Sequence, residues 1–113
     1  MSTLPKVKKM VEYCLNNFPE TRDSDIELTI RIWNEFFPSR IIVGQSGAQA
    51  IRLKDLFDLP REDHVKRIRA KIQNEEGRFL PTTLKIAMQR GIEEVKWKEF
   101  MGYPSAPNPY PEN

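Results

Sequence analysis

Prolines and glycines cut this chain into short pieces, and that punctuation limits its fold more than any other feature. Pro19, Pro38, Pro60, Gly77, Pro81 and Gly91 fall between stretches whose apolar residues recur at helical spacing, and neither residue type suits a helix interior. The pieces therefore read as a succession of short helices. In 5–18, Val7, Met10, Val11, Cys14, Leu15 and Phe18 follow the i, i+3, i+4, i+7 pattern of one buried face. Pro5 suits a first helical turn and Pro19 stops the helix. Cys14 lies on the apolar stripe, so its thiol is expected to be buried and inert.

Residues 26–37 carry two periods at once. Ile26, Leu28, Ile30 and Ile32 alternate with Glu27, Thr29 and Arg31 as in a strand, whereas Ile26, Ile30, Trp33 and Phe37 make a helical stripe. A cap at Ser24 or Asp25 and the length of the run favour helix. Arg40–Gly44 reads as a short strand. The Gly-Gln-Ser-Gly that follows lacks the Lys-Ser/Thr of a phosphate-binding loop and reads as a turn. Leu53, Leu56 and Phe57 form a helical patch before Pro60. In 62–76, Val65, Ile68 and Ile72 make a narrow stripe, with acids in the first turn and Gly77 as terminator. Arg78-Phe79-Leu80 reads as extended. Thr82 or Thr83 caps a last helix, bent or broken near Gly91, that runs on through Ile92, Val95, Trp97 and Phe100. These pieces predict a mainly α, single helical domain over residues 1–101. A proline-rich tail follows over 102–113, disordered or polyproline-like.

Composition removes several function classes. One cysteine makes no internal disulfide, and with His64 as the single histidine no Cys/His zinc pattern exists. No metal and no cofactor is expected. Lys6, Lys8 and Lys9 interrupt any apolar leader, and no stretch approaches the length of a membrane helix. A cytoplasmic protein without membrane contact is the expectation. No enzyme is expected, because a nucleophile needs a positioned base and His64 has no Ser or Cys motif beside it. The carboxylate pairs Glu62/Asp63, Glu75/Glu76 and Glu93/Glu94 point about 100° apart on a helix, which suits solvated charge.

The layout of 53–80 points to function. A short helix, a tight turn at Leu59-Pro60-Arg61 and a longer helix form the arrangement of a helix-turn-helix. If Ile41–Val43 and Phe79-Leu80 paired as strands, the result would be a winged-helix-like domain with a reduced wing. With Val65, Ile68 and Ile72 turned inward, Lys66, Arg67, Ala70, Gln73 and Asn74 fall on the opposite side. Those residue types suit base edges, with Ala70 allowing close approach. Arg61, Arg69, Lys71 and Arg78 would then meet phosphates. Net charge of only +2 keeps two other readings open for this face: an ordinary solvated exterior, or a surface that binds protein.

Two stretches, Phe18-Pro19-Glu20-Thr21-Arg22-Asp23-Ser24-Asp25 and Arg69-Ala70-Lys71-Ile72-Gln73-Asn74 followed by Leu80-Pro81-Thr82, resemble small phage and prophage proteins of unestablished function that are regarded as winged-helix-like. The likeness spans most of 7–92. It implies a phage or mobile-element origin and the same helix-turn-helix fold, and it assigns no site residues. The function expected is thus a DNA-binding accessory or regulatory protein reading DNA with helix 62–76. The alternative is an inhibitor or adaptor that turns the same scaffold on a host protein. A homodimer would help the DNA reading, and Ile92, Val95, Trp97 and Phe100 would supply its surface.

Overall fold

The computed structural model describes residues 5–103, and its architecture is mainly helical with one small two-stranded sheet. Helix α1 (Val7–Asn17) buries Met10, Val11, Cys14 and Leu15, as its apolar spacing predicts. Helix α2 (Asp25–Phe36) settles the ambiguous segment. Ser24 accepts a hydrogen bond from the Glu27 amide, and Asp25 and Glu27 sit in the first turn where the helix dipole favours them. The buried residues are Leu28, Thr29 and Ile32, so the helix is rotated from the stripe expected, and Ile26 and Ile30 face solvent.

Strands β1 (Ile41–Val43) and β2 (Gln49–Ile51) form an antiparallel hairpin in which Ile42 faces Ala50. Gly47, at φ +85°, supplies the left-handed residue of the turn. The expected pairing of Ile41–Val43 with Phe79-Leu80 does not form. Phe79 lies at φ +49° behind Gly77 at φ +63°, which is not extended backbone. A partner six to ten residues away also costs less loop-closure entropy than one nearly forty away. The hairpin therefore precedes the long helix instead of following it as a wing.

Helix α3 (Leu53–Leu56) is a single turn with no buried residue. The connection after it is anchored by buried Leu59 and by the Trp33 indole, which donates to the Pro60 carbonyl at 2.8 Å. Helix α4 (Glu62–Asn74) packs against α1 and α2, joining Val65 and Ile72 to the core of Val11, Leu15, Leu28 and Ile32. The support for α4 thus comes from α1 and α2, not from the short helix before the turn.

The last helical stretch is two helices, α5 (Leu84–Gln89) and α6 (Glu94–Phe100), divided at Gly91. Leu80, Ala87, Ile92 and Trp97 make a second apolar cluster. The Trp97 indole donates to the Pro81 carbonyl at 2.6 Å, and Tyr103 stacks on its ring. This corrects the expected dimer surface: Ile92 and Trp97 are consumed by the chain's own core, leaving Val95 and Phe100 exposed. It also moves the start of the tail, since Gly102 and Tyr103 close the end of α6 through bonds to Glu99 and Lys98 carbonyls. The rest of the proline-rich tail, 104–113, lies outside the described residues. Among the described residues no helix is long and apolar enough to cross a membrane.

Candidate nucleic-acid interface

Helix α4 turns Val65 and Ile72 inward and leaves Ile68 partly covered. Its buried arc is wider than the apolar stripe, because Arg69 and Gln73 are buried as well. At about 100° per residue these two flank Val65 and Ile72 on the side away from Ile68. The proposed roles of Arg69 on phosphate and Gln73 on a base edge are therefore wrong. Polar residues usually face water, and these two are kept inside by partners that satisfy them.

Arg69, with 4% of its surface exposed, grips Asp25 with Nε on Oδ1 at 2.8 Å and Nη2 on Oδ2 at 2.9 Å. This is the two-pronged geometry in which guanidinium and carboxylate fit best. Gln73 donates to the Phe79 carbonyl at 2.8 Å and accepts from Arg90 Nη1 at 3.1 Å. Arg90 also donates to the Arg22 carbonyl. Burial pulls the Arg90 guanidinium below its ordinary range, and the neighbouring charge of Arg69 pulls the same way. Asp23 accepts from the Thr82 amide at 2.6 Å and from the Thr82 hydroxyl. This polar seam fastens the α5–α6 cluster to the three-helix core.

Arg78 is exposed but engaged. It donates to Glu12 at 2.8 Å and to Glu76 at 2.9 Å, and its guanidinium lies over the Phe79 ring. The bond to Glu12 and then that to Glu76 hold it above its ordinary range, while bonds from Lys8 and Arg78 hold Glu76 below the usual carboxylate range. A phosphate would have to compete with two carboxylates for Arg78, which makes it a poor contact.

Of the remaining predicted residues, Arg67, Ala70, Lys71 and Asn74 share one surface, whereas Arg61 lies beside Phe57, Trp33 and Leu56. Arg61, Lys66, Arg67, Lys71 and Asn74 are exposed and Ala70 is half-buried. Arg67, Ala70, Lys71, Asn74 and Glu75 line one shallow depression. Arg61 stands at the N-terminal end of α4 with its guanidinium over Phe57. Packing on α1 and α2 covers only the inner side of α4. Glu62 and Asp63 occupy its first turn, so the cationic character is confined to the middle and later turns. Among the described residues no group of three His, Cys, Asp or Glu side chains could hold a metal ion.

A second surface was not foreseen. Ile30 and Trp33 of α2, Ile41 and Ile51 of the hairpin and Leu56 of α3 line an apolar depression of about 330 Å³. Trp33 and Leu56 continue it toward Phe57 and Arg61. The one signal for it in the sequence was three large apolar residues, Leu53, Leu56 and Phe57, in a helix too short to bury them. Comparison with known proteins gives no match among family models, curated proteins or solved structures.

Proposed function

We propose that the protein binds DNA through the outward face of α4, as a small accessory or regulatory factor of the phage setting that the resemblance implies. The contact set is reduced to Arg61, Lys66, Arg67, Ala70, Lys71 and Asn74. The observation that carries this reading is the depression that Arg67, Ala70, Lys71 and Asn74 share, with Glu75 as its one acid, on an uncovered helix face. Arg67 and Asn74 are the residue types that bond guanine and adenine edges, and Ala70 between them keeps the backbone close to the groove floor. Lys66 and Lys71 lie on opposite flanks of that face, where phosphates on either side of a groove would pass, and Arg61 would add a phosphate contact at the N-terminal end of the helix. In this arrangement α4 plays the part of the recognition helix, with α1 and α2 behind it.

Fluorescence anisotropy on a labelled duplex at low salt tests the proposal. Lys66→Ala, Arg67→Ala and Lys71→Ala together should abolish binding with the circular dichroism spectrum unchanged. Undiminished binding by the triple variant would remove α4 from the interface. Asp63 and Glu75 beside these cations favour a second reading, in which the same face docks on a host protein. A stoichiometric protein partner that survives nuclease treatment, joined to a failure to bind any duplex, would select it.

A further inference from the structure

We infer that the apolar face formed by α2, the β-hairpin and α3 is the contact surface for a second copy of this chain. Leu53, Phe57 and Val43 are 77%, 70% and 62% exposed, with Ile30 and Leu56 close to 40%. An aromatic side chain offers roughly 150–250 Å² and an aliphatic one less, so these five leave on the order of 500 Å² of apolar surface. The largest patch on an ordinary monomer is roughly 300–600 Å². One partner's share of a standard interface, polar rim included, is about 800 Å². The patch thus sits in the upper part of the monomer range, and it needs the polar rim around it to reach one partner's share.

Its shape fits a copy of itself. The depression lined by Ile30, Trp33, Ile41, Ile51 and Leu56 lies beside the protruding Phe57. A two-fold axis brings the Phe57 of each copy to the depression of the other, so one contact made twice closes the assembly. Val43 lies on the same face of its strand as Ile41, and Leu53 lies one turn before Leu56, so both extend the apolar area. Charge at the rim agrees. Exposed Arg52, Lys54 and Arg61 are interspersed in sequence with Asp55, Asp58 and Glu62, and Arg40 bonds Asp55 and Asp58. A rim of both signs pairs with its own rotated image without net repulsion, whereas it gives a polyanion no advantage. The inference needs no nucleic acid and concerns a different face from the outer side of α4; Arg61, at the boundary, is the one residue that both readings use.

Sedimentation equilibrium of the full chain without nucleic acid tests it. The expected result is a mass twice the 13.3 kDa of the chain at about 50 μM, a concentration that populates a dimer of micromolar dissociation constant. Leu53→Glu with Phe57→Glu should return the single-chain mass while circular dichroism and melting stay unchanged. Ile30→Lys, on a different element of the same face, should do likewise, whereas Val95→Glu on α6 should leave the dimer intact. A single-chain mass for the wild type at every concentration would overturn the inference. So would a dimer that survives both face variants, or one that forms only after residues 104–113 are removed, which would give the face to the tail.

Discussion

Replacing Arg69 by Ala removes the guanidinium that grips Asp25 through two hydrogen bonds of 2.8 and 2.9 Å and that also reaches Gln73. Asp25 then keeps a mostly buried carboxylate with no cation against it. Breaking a buried pair by deleting one partner costs about 3–5 kcal/mol, chiefly from the charge left behind. For a chain of this size roughly 4 °C of melting temperature corresponds to each kcal/mol. The variant should therefore melt about 12–20 °C below the wild type when followed by circular dichroism. Asp25→Ala combined with Arg69→Met should recover much of the loss, since replacing both charges leaves neither unpaired. An exposed phosphate contact would behave differently: a surface substitution usually stays within about 0.5 kcal/mol. If Arg69→Ala melts within a few degrees of the wild type, the buried pair is not holding α2 to α4, and the rotation assigned to α4 fails with it.

Other consequences follow from the same structure. The Cys14 thiol is pushed up to about 12, first by burial and then by the nearby Glu35 carboxylate; it should resist thiol reagents in the folded protein and react at once in denaturant. The unfolded thiol ionises near pH 9 and the folded one does not, so unfolding releases a proton above that pH. Stability present below pH 9 should thus fall by up to about 1.4 kcal/mol per pH unit toward pH 12, and Cys14→Ala should remove that part of the slope in urea titrations. Asp23→Ala deletes the acceptor for Thr82, at about 1–3 kcal/mol for the donors left unpaired; amides of α5 and α6 should exchange roughly ten- to a hundredfold faster, while those of α1 and α4 change little. The three exposed cations assigned to the backbone, Arg61, Lys66 and Lys71, set a slope of about −2.7 for log affinity against log salt on duplex DNA. Ala at Lys66 or Lys71 should lower its magnitude by about one, Arg67→Ala should instead relax sequence preference, and Arg78→Ala should do neither.

The helices were legible because their signals are local. The spacing of Val7, Met10, Val11, Cys14 and Leu15 and the cap at Ser24 depend on neighbours within one or two turns, and α1 and α2 form where those signals place them. Gly77 and Gly91 end helices by adopting left-handed backbone, as their positions suggested. What was not legible depends on distant partners. Arg69 is held by Asp25, 44 residues away, and Gln73 by the Arg22 carbonyl, 51 residues away. No periodicity distinguishes a polar residue with such a partner from one facing water. Phe79 was read as extended because its neighbours are apolar, yet it takes a left-handed backbone with its carbonyl bonded to Gln73 and its ring between Arg22 and Arg78. The exposed face around Trp33 and Phe57 escaped notice for the opposite reason: apolar residues were assigned inward, and α3 is too short to place them there.

The most direct test of the proposed function is an amide chemical-shift map of the labelled protein titrated with a short duplex. Binding through the outer face of α4 predicts that amides from Lys66 to Asn74 and the side-chain amide of Asn74 shift, while the Gln73 side-chain amide holds still. Shifts gathered on the β-hairpin and α6 with α4 unmoved, or no shifts at all at low salt, would contradict it.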